Sequence, residues 1–595
     1  MSPPSGYHGR CLLVDVTTGT ATPLPLDELL LRSYLGGAGL GTALLRQLTN
    51  PEALADPLHP SAPLLFVFSP LVGSPLTTSA KFAVVAQSPL TFRINDSLSS
   101  SHFAIAGKKT GFDAICLVGR AARPSLLQIT DSGVELLPAE DLWGLTIPET
   151  DRRLRERSSG GFRAAVIGPA GEHLVRYATI SHEGRHAGRG GHGAVLGSKL
   201  IKAVLVRGSQ TVSYAAPAGL VEYARELSAR SFGPATAKYR ELGTVSNLLT
   251  FNRLGALPTR NFQSGEFLQA EALAPEALAT AAERTRASCA ACTIGCEHIF
   301  PIAGQKTGVR MEYENLFALG PLCGISDSQV VLQASALCDE LGLDTISTGG
   351  TIAFAMECAE RGLMDAPELR FGAGEVLLQL IRQIANRTGW GSLLAEGSRM
   401  AASEIGQGSA EFAPHVKGLE IPGYEPRALQ TMALGFSVGT RGADHNRSGA
   451  YQVDFSPTAD RLQVDAAAVA RAIEFEDEAA LFDSLILCKF LRGVFADRLS
   501  EISQMLQLVT GWEVTPAELT ATARRIVTAR KRFNISAGWT PAEDTLPARF
   551  FQEQLPTGAS AGAQLNAARL EQLKQVYYSL RGWDARGYPA TDEEV

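Results

Sequence analysis

The chain has 595 residues, of which 45% are hydrophobic and 19% charged, and its formal net charge is −7 at pH 7. This length allows three or four domains with well-buried cores, and the negative charge gives no reason to expect a nucleic acid or an anionic membrane as a partner. No secretory signal pattern opens the sequence and no apolar run reaches the roughly 18–20 residues of a membrane-spanning helix, so we expect a cytoplasmic protein without a membrane partner.

Residues 1–210 are predicted to form a β-sheet domain. Short aliphatic and β-branched runs, such as PLLFVFSPLV (63–72), alternate with turns rich in glycine, proline, aspartate and serine. Beyond residue 210, apolar residues spaced at i, i+3 and i+4 predict helices instead. The predicted fold class is therefore α+β, with a sheet domain at 1–210 followed by two mainly helical domains at 211–417 and 418–595.

The most distinctive segment is RASCAACTIGCEHIF (286–300), which places Cys289, Cys292 and Cys296 close together in a chain with nine cysteines. Their i, i+3, i+7 spacing would put all three sulfurs on one face of a helix, and in a loop the C-x-x-C part would still converge on one metal. Zinc sites usually add a second ligand pair nearby, whereas a [4Fe–4S] cluster takes three local thiolates and a distant one. The spacing favours the [4Fe–4S] cluster, keeps zinc and a group of buried thiols as alternatives, and does not select the fourth ligand.

The segment EGRHAGRGGHGAVLGSK (183–199) is rich in glycine and arginine. Its glycines match G-x-G-x-x-G, but the residues after them are predicted to form a strand rather than a helix, so we reject a dinucleotide-binding motif. Glycines beside Arg185 and Arg189 suit the close approach of the backbone to a phosphate-bearing ligand. The alternative is a flexible exposed loop.

Two acidic segments share one pattern, DELGLD (339–344) and DSLILC (483–488). Each begins with aspartate, has leucine before its last residue, and ends a helical pattern, so each alone would be an ordinary helix terminus. As a pair they indicate two similar ligands held in a similar way, and Cys488 becomes the candidate fourth thiolate. A pterin has a 2-amino group and ring N–H groups, which are the donors that buried carboxylates need.

These segments together resemble the tungsten-containing aldehyde:ferredoxin oxidoreductase family over essentially the whole chain. The resemblance implies that the sheet domain forms a base for the cofactor and that the two helical domains cover it. It implies a tungsten bis-pyranopterin and a [4Fe–4S] cluster, with magnesium bridging the pterin phosphates as a further expectation. The matching segments, in the family's order, are GYHGRCLLVDVTTG, YLGGAGLG, FAVVAQSPLT, GRHAGRGGHGAVLGSK, LPTRNFQSG, CAACTIGC, YENLFALG, DELGLDTISTGG, RGADHNR and DSLILCKF.

The resemblance also assigns roles to single residues. Glu314 and His445 would handle the carbonyl substrate and its protons, and a buried carboxyl–imidazole pair is a reasonable general acid/base set. The implied cluster ligands are Cys289, Cys292, Cys296 and Cys488. The positions expected to contact the pterins or their phosphates are Lys81, Leu98, Ser100, Arg185, His186, Gly188, Arg189, Asp339, Leu343, Asp344, Arg441, Arg447, Asp483 and Leu487.

Four positions depart from the family's pattern or need separate mention. Lys81 stands where the family usually has arginine, which keeps the charge but loses the planar fork. Leu98 and Ser100 lie in a segment that is glycine-rich in the family, so backbone contacts to a pterin would survive and side-chain contacts would not. Cys323 lies where the benzoyl-CoA reductase branch has a tungsten ligand, and its alternatives are tungsten ligation and an ordinary buried thiol.

We therefore expect an enzyme that oxidises a small aldehyde to its carboxylic acid with water. Its electrons would pass through the [4Fe–4S] cluster to ferredoxin or an iron–sulfur electron-transfer subunit. One alternative is the catalytic subunit of a benzoyl-CoA-reductase-like tungsten complex, and another is a zinc-stabilised, non-catalytic binding protein. A homo-oligomer is one expectation for the assembly.

Overall fold

The computed structural model describes residues 3–157, 160–278, 284–305 and 307–590. Two six-stranded sheets lie in the first 210 residues, and the rest of the described chain is mainly helical, which confirms the α+β prediction. In spatial order the first sheet contains Thr20–Pro25, Arg10–Asp15, Ala114–Val118, Leu64–Val67, Lys81–Gln87 and Ile94–Ser100, and the second contains Arg185–Ala187, Ile180–His182, Arg163–Val166, Ile201–Arg207, Ser125–Thr130 and Gly133–Pro138.

The two sheets pack face to face, and the strand Lys81–Gln87 shows how they separate two cores. Because side chains alternate along a strand, Phe82 joins a core shared by both sheets, whereas Ala83 joins the large core shared with the helices. Lys81 pairs with Ser100 across the ladder and lies on the same face as Ala83. The sheet therefore directs Lys81 and Ser100 towards the helical region.

Helices make up most of the regular structure in the rest of the described chain. Within these residues, no helix is both long enough and apolar enough to cross a membrane. The helices of the first 210 residues are Glu28–Tyr34, Gly37–Leu48, Pro51–Ala55, His102–Lys108, Ile147–Arg157, Pro169–Glu172 and His192–Ser198. The later helices are Pro217–Ser231, Ala237–Leu242, Asn247–Arg253, Pro275–Leu278, Tyr313–Leu319, Ser328–Leu341, Thr345–Glu360, Gly374–Asn386, Gly391–Leu394, Ser398–Ile405, Gln430–Val438, His445–Ser448, Tyr451–Asp454, Ala466–Leu485, Arg498–Thr510, Pro516–Ser536, Arg549–Gln552 and Ala567–Arg581.

Two small sheets complete the described elements. The strands Thr285–Ala287, Glu297–Phe300 and Val309–Met311 form an antiparallel sheet around the three-cysteine loop. The strands His415–Val416 and Leu419–Glu420 form a hairpin. The first of these sheets fixes both ends of the segment that carries Cys289, Cys292 and Cys296.

The glycine-rich segment differs from its prediction. The expected strand does not follow the glycines directly, because the helix His192–Ser198 lies between them and the strand Ile201–Arg207. This helix is short and contains two glycines, so its sequence gives a weak helical signal. A Cβ added at Gly193 would collide with the carbonyl oxygen of Thr179, so close packing requires glycine there. A dinucleotide fold is still absent from this described segment, because the strand before the glycines belongs to an antiparallel hairpin.

Glycines at the start of the helix Gly37–Leu48 bring it close to the helix Ala466–Leu485. A Cβ added at Gly37 would collide with the carbonyl oxygen of Asp483, and one at Gly39 would lie 2.7 Å from the hydroxyl of Ser484. No other residue fits these positions without moving backbone. The beginning of the chain is therefore packed directly against the end of the helix that carries DSLILC.

Candidate functional site

The helices Ser328–Leu341 and Ala466–Leu485 end with the same backbone conformation. Asp339 and Asp483 lie in their last turns, and the residue three positions later is left-handed in both, with φ 82° in the first helix and 63° in the second. In each case the following leucine amide donates to a carbonyl of the last turn, at 2.9 and 2.8 Å. This is a Schellman-type helix end. The matched sequence pattern thus corresponds to a matched structure.

The first helix end presents Asp339 and Asp344 to the glycine-rich hairpin. Asp339 Oδ1 lies 3.1 Å from His186 Nε2. Asp344 begins the next helix, where its Oδ2 accepts a hydrogen bond from the Ser347 amide at 3.1 Å. The same carboxylate lies 3.6 Å from Arg189 Nε. The DELGLD segment is therefore oriented by its own helix caps and by two side chains of the sheet region.

The second helix end is more deeply buried and carries more charge. The Asp483 carboxylate lies 3.1 Å from both Arg447 Nη1 and Lys489 Nζ. Arg447 also lies 2.7 Å from Asp96 on the strand Ile94–Ser100. Burial alone would raise the pKa of Asp96, but Arg447 and Arg530 lower it below its usual range. The DSLILC segment is thus part of a buried ionic network that reaches the sheet.

Cys488 meets the three-cysteine loop through Thr78. The Thr78 amide donates to the Ala291 carbonyl at 2.6 Å, and its hydroxyl accepts from the Cys488 amide at 3.3 Å. Burial raises the pKa of the Cys292 thiol to about 11, and Cys488 and Cys289 are near enough to add to that increase. Burial, followed by the nearby Cys488 and Cys289, also raises the pKa of the Cys296 thiol. The four half-buried thiols therefore lie near one another, and their role as the ligands of one cluster stays a prediction.

The spacing of these thiols distinguishes two kinds of metal site. Across residues 3–157, 160–278, 284–305 and 307–590, no group of three or more His, Cys, Asp or Glu side chains is arranged to hold a metal ion. A mononuclear zinc site would need all its ligands about 2.0–2.3 Å from one ion. A polynuclear iron–sulfur cluster is held by thiols that are further apart, because each binds a different iron. The arrangement does not support the zinc alternative.

A cavity of about 410 Å³ joins the thiols to most of the expected cofactor-binding residues. A neighbouring, larger cavity of about 910 Å³ shares Cys289, Arg185 and His186 with it and is also lined by Asp339. Leu343, Asp344 and Cys292 line neither cavity. Of the residues named from the sequence, the 410 Å³ cavity is lined by Lys81, Leu98, Ser100, Arg185, His186, Gly188, Arg189, Cys289, Cys296, Glu314, Arg441, His445, Arg447, Asp483, Leu487 and Cys488.

Glu314 and His445 meet at one wall of this cavity, although 130 residues separate them in sequence. His445 Nε2 lies 3.5 Å from Glu314 Oε1, and the other Glu314 oxygen accepts from the Gly423 amide at 3.0 Å. Burial raises the pKa of Glu314 to about 8, with the Gly423 amide opposing it. Burial also lowers the pKa of His445 to about 3. At neutral pH the pair therefore consists of a largely protonated carboxyl and a neutral imidazole.

The imidazole of His445 is held by its neighbours. Tyr424 stacks on it with ring centroids 4.8 Å apart and an interplanar angle of 25°. Asn446 Nδ2 lies 2.8 Å from His445 Nε2, which fixes the edge of the ring that faces Glu314. Stacking and hydrogen bonding together restrict rotation of the side chain. The pair is consequently preorganised before a substrate arrives.

The cavity also fits an anionic ligand that offers hydrogen-bond donors and acceptors. Arg189 Nε, Glu314 Oε1 and His445 Nδ1 are buried and have no hydrogen-bond partner among the described residues. A Cβ added at Gly188 would meet only Asp344 Oδ1, at 3.9 Å, so the missing side chain leaves free space at this wall. Orphaned buried polar atoms normally have a partner in the functional state. These atoms and this space suit a pterin with its phosphate.

Cys323 is not where a tungsten ligand would be required. It is fully buried between the helices Tyr313–Leu319 and Thr345–Glu360, and it lines neither cavity. Its sulfur lies 3.4 Å from the Ala318 carbonyl and 3.6 Å from that of Gly349, as expected for a packed thiol donor. Burial raises its pKa, so the thiolate is disfavoured. This placement favours the buried-thiol alternative, and tungsten ligation by Cys323 stays an untested prediction.

Several cavity residues were missed by the sequence analysis. Lys489 and Asp444 both line the 410 Å³ cavity, and each directly precedes or follows a residue that had been named. Asp444 lies 2.7 Å from Arg441 Nη1, and Asn95 Oδ1 accepts from Arg441 Nε at 2.6 Å. The signal for Lys489 was its position after Cys488 in DSLILCKF. Asn95 gave no signal, because its polar strand NDSLSS was not predicted as a strand.

The fold and the site define a class of protein that holds an anionic cofactor between a sheet base and two matched helix ends, with a thiol cluster beside it. Two family models cover the chain. The model for the N-terminal domain of aldehyde ferredoxin oxidoreductase matches residues 11–208, and the model for domains 2 and 3 matches residues 221–594. The chain belongs to the aldehyde ferredoxin oxidoreductase family.

Curated relatives of similar length support this membership. The tungsten-containing aldehyde ferredoxin oxidoreductases of Pyrococcus furiosus and Thermococcus kodakarensis are each 37% identical to the chain, over 98% of the chain and 97% of the relative. A subunit of P. furiosus named aliphatic sulfonate oxidoreductase, WOR-like subunit, is 29% identical over 99% of the chain and 96% of its own length.

A solved structure has the same fold. It is the active-site complex BamBC of benzoyl coenzyme A reductase with 1,5-dienoyl-CoA, with a TM-score of 0.82 and 23% sequence identity. The likeness covers 99% of this chain and 97% of that one. At this identity it establishes the fold alone.

Proposed function

We propose that the protein oxidises an aldehyde to a carboxylic acid and transfers the electrons to a one-electron carrier of the ferredoxin type. The observation that carries this proposal is the 410 Å³ cavity, in which a Glu314–His445 pair shares a wall with Cys289, Cys296 and Cys488. An acid/base pair and an electron outlet in one cavity suit a reaction that releases both protons and electrons. The names of the curated relatives support the same reaction.

The cofactor that fits this site is a tungsten bis-pyranopterin. When bound, it would supply the two-electron redox chemistry. The matched helix ends would hold one pterin each through Asp339 and Asp483, whose carboxylates can accept hydrogen bonds from pterin N–H groups. Arg441 and Arg447 would neutralise the phosphates, and a magnesium ion bridging those phosphates would add to that neutralisation. Arg189 would donate through its unpartnered Nε.

The residues of the chain would control the protons of the reaction. An aldehyde and water give a carboxylic acid, two protons and two electrons. The neutral imidazole of His445 can donate a hydrogen bond to the carbonyl oxygen, which polarises the carbon. Once ionised, Glu314 can accept a proton from the attacking water, and its pKa of about 8 is close to the working range of a general base.

The thiol cluster would pass the electrons onward one at a time. A [4Fe–4S] cluster held by Cys289, Cys292, Cys296 and Cys488 accepts and releases single electrons. Lys81 lines the same cavity as Cys289 and Cys488. Burial lowers the pKa of its amine, but the nearby thiols of Cys488, Cys289 and Cys292 raise it more, so that the pKa is raised overall. A cation at this position would favour the reduced, more negative state of the cluster.

Two alternatives are less well supported. A role in a benzoyl-CoA-reductase-like complex would rest on a likeness of fold, and Cys323, whose tungsten ligation would favour it, is a buried thiol that lines neither cavity. A zinc-stabilised binding protein would need ligands that converge on one ion, which the described residues do not provide. Aldehyde oxidation accounts for more of the site than either.

The test is to purify the protein anaerobically and measure aldehyde-dependent viologen reduction and metal content in the same sample. We expect tungsten and about four iron atoms per chain, and reduction of viologen with both aliphatic and aromatic aldehydes tried as substrates. Benzoyl-CoA-dependent oxidation of reduced viologen is the control for the alternative reaction. Full metal content without turnover of any aldehyde would contradict the proposal, and zinc as the sole metal would contradict the cofactor assignment as well.

A further inference from the structure

A group of basic side chains lies on the exposed flank of the three-cysteine loop. We define the basic patch as Lys238, Arg240, Arg284 and Arg286. Arg286 Nη1 donates to the Arg240 carbonyl at 3.1 Å, and Arg284 Nη2 donates to the Glu241 carbonyl at 2.6 Å. These bonds join the strand before Cys289 to the helix Ala237–Leu242. The patch is therefore a fixed feature of the surface beside the cluster.

The charges of the basic patch are not neutralised. Within the described residues, none of its four side chains forms an ion pair with a carboxylate; each of them instead bonds to a carbonyl, hydroxyl or amide oxygen. Glu241 is the carboxylate that lies within the same helix. The patch thus carries excess positive charge, although the chain as a whole has a net charge of −7. A local field of this kind steers acidic partners.

An exposed apolar centre accompanies the charges. Phe232 is 56% exposed and lies under the guanidinium of Arg240, with 4.4 Å between the guanidinium carbon and the ring centroid. Leu242, at the other end of the same helix, is 39% exposed. An apolar centre with a charged rim is typical of protein–protein contacts. The flank therefore has the composition of a docking surface.

This surface is also directly connected to the thiols. Thr293 of the cysteine loop lies 2.5 Å from the hydroxyl of Ser231, next to Phe232. Tyr239, inside the patch, stacks on Phe490 at 3.9 Å, two residues from Cys488. The 910 Å³ cavity also borders the loop, at Cys289, and in it Arg152 and Arg155 are mixed with Asp151, Glu156 and Glu340. The basic patch therefore joins side chains that have no carboxylate partner among the described residues to an exposed apolar centre beside the thiols.

We propose that the basic patch around Phe232 is where an acidic iron–sulfur electron carrier docks to collect electrons from the thiol cluster. This inference rests on the proposed function, because it assigns a place to the carrier of that reaction. Complementary charge mainly raises the association rate and is weakened by salt. The contact would be small and transient, as in other electron-transfer encounters.

The experiment compares two acceptors with one holoenzyme. Aldehyde oxidation is measured with an acidic two-cluster bacterial ferredoxin and with benzyl viologen, at low and at high salt. The test variants are Lys238→Glu and the double variant Lys238→Glu/Arg286→Glu. The matched control is Arg123→Glu/Arg471→Glu, because both of its arginines are exposed and lie outside the patch. Iron content and the EPR spectrum verify that the cluster is intact in every variant.

We expect the double variant to lose about tenfold or more in kcat/KM for ferredoxin, with a weaker salt dependence, while viologen turnover is not reduced. Lys238→Glu should show part of the effect, and the control variant should show none. Unchanged ferredoxin kinetics in both test variants would overturn the proposal. So would equal losses with ferredoxin and viologen, which would mean that the cluster itself had been disturbed.

Two further outcomes are distinguishable from these. A wild-type protein that reduces neither acceptor with any aldehyde would refute the proposed function rather than the docking surface. If the charge-reversed double variant has a lower mass in light scattering than the wild type, a second copy of the chain covers the patch. That outcome would also overturn the proposal.

Discussion

The two helix ends that flank the cavity have the same backbone but different surroundings. At the first, Asp339 is 32% exposed and faces a histidine, and at the second, Asp483 is 2% exposed and faces two cations. The first segment ends with Asp344, which caps another helix, whereas the second ends with Cys488 in the thiol cluster. One backbone motif has thus been equipped for two tasks. The difference teaches that the second segment carries one of the four thiols, whereas the first carries none.

The largest effect is expected from removing Cys488, the thiol that distinguishes the second segment from the first. Cys488→Ala should abolish nearly all aldehyde-dependent reduction and lower iron from about four atoms per chain towards three. Cys358→Ala is the matched control, because Cys358 is a buried core thiol outside both cavities. Elemental analysis and EPR provide the measurement. Normal iron content and an unaltered spectrum in Cys488→Ala would remove this residue from the cluster.

The acid/base pair takes one residue from the chain before each of the two segments, Glu314 before DELGLD and His445 before DSLILC. Glu314→Gln and His445→Asn should each lower kcat by about 10²–10⁴-fold, with tungsten and iron retained. The losses in the double variant should be smaller than the product of the single losses, because the two side chains act as a unit. Steady-state kinetics with viologen measures this. Wild-type turnover in both single variants would show that proton transfer takes place elsewhere.

The difference in burial predicts a difference in stability. Asp483→Asn leaves Arg447 and Lys489 buried with less compensation, and breaking such a buried pair costs about 3–5 kcal/mol. Asp339→Asn, which alters a partly exposed contact, should cost about 0–1 kcal/mol. Urea unfolding of the two variants beside the wild type gives the comparison. Equal losses in the two variants would mean that the two ends are energetically alike.

The pH profile of the reaction sharpens the role of Glu314. Since its pKa is raised to about 8, the ionised base is a minor form at neutral pH and becomes the major form above that value. The rate should rise about tenfold per pH unit below pH 8 and level off above it. Glu314→Gln should abolish this limb. A profile that is flat from pH 6 to pH 9 in the wild type would contradict the assignment of Glu314 as the base.

A small effect on stability concerns Gly342, the left-handed residue of the first helix end. Gly342→Ala should cost about 1–2 kcal/mol from backbone strain, and slightly more because the added Cβ would lie 3.1 Å from the Gly168 amide. Gly362→Ala is the matched control, since its φ is 70° and nothing lies within 4 Å of the added Cβ. Thermal unfolding of both variants separates strain from crowding. A larger loss of stability in Gly362→Ala than in Gly342→Ala would contradict the added cost of crowding at Gly342.

Features with local causes were predictable from the sequence. The end of the helix Ser328–Leu341 follows from Gly342 and the flanking leucine, and the strand Lys81–Gln87 follows from its β-branched run. The left-handed conformation of Ile486 was not predictable, because a β-branched residue disfavours it and tertiary packing alone imposes it. The strand Ile94–Ser100 was missed because burial against the cavity, rather than its polar sequence, determines it.

The pairing of distant residues was beyond the local pattern. Nothing in the spacing of Glu314 and His445 brings them together, and only the resemblance to a family named both. The buried network of Asp96, Arg447 and Asp483 likewise joins three separate segments. Conversely, Cys323 was named from the resemblance, and the structure places it in the core. A family pattern locates a region, and packing decides which side chains of that region reach the cavity.

The close packing of Gly37 against the backbone of Asp483 has a consequence for biosynthesis. The residues lining the 410 Å³ cavity extend from Lys81 to Phe490, and the helix that begins at Gly37 needs the end of the Asp483 helix as its partner. The pocket therefore has no complete wall until more than four-fifths of the chain has left the ribosome. A cofactor that fills this cavity would therefore be enclosed only late in synthesis or after it, once the two ends of the chain have met.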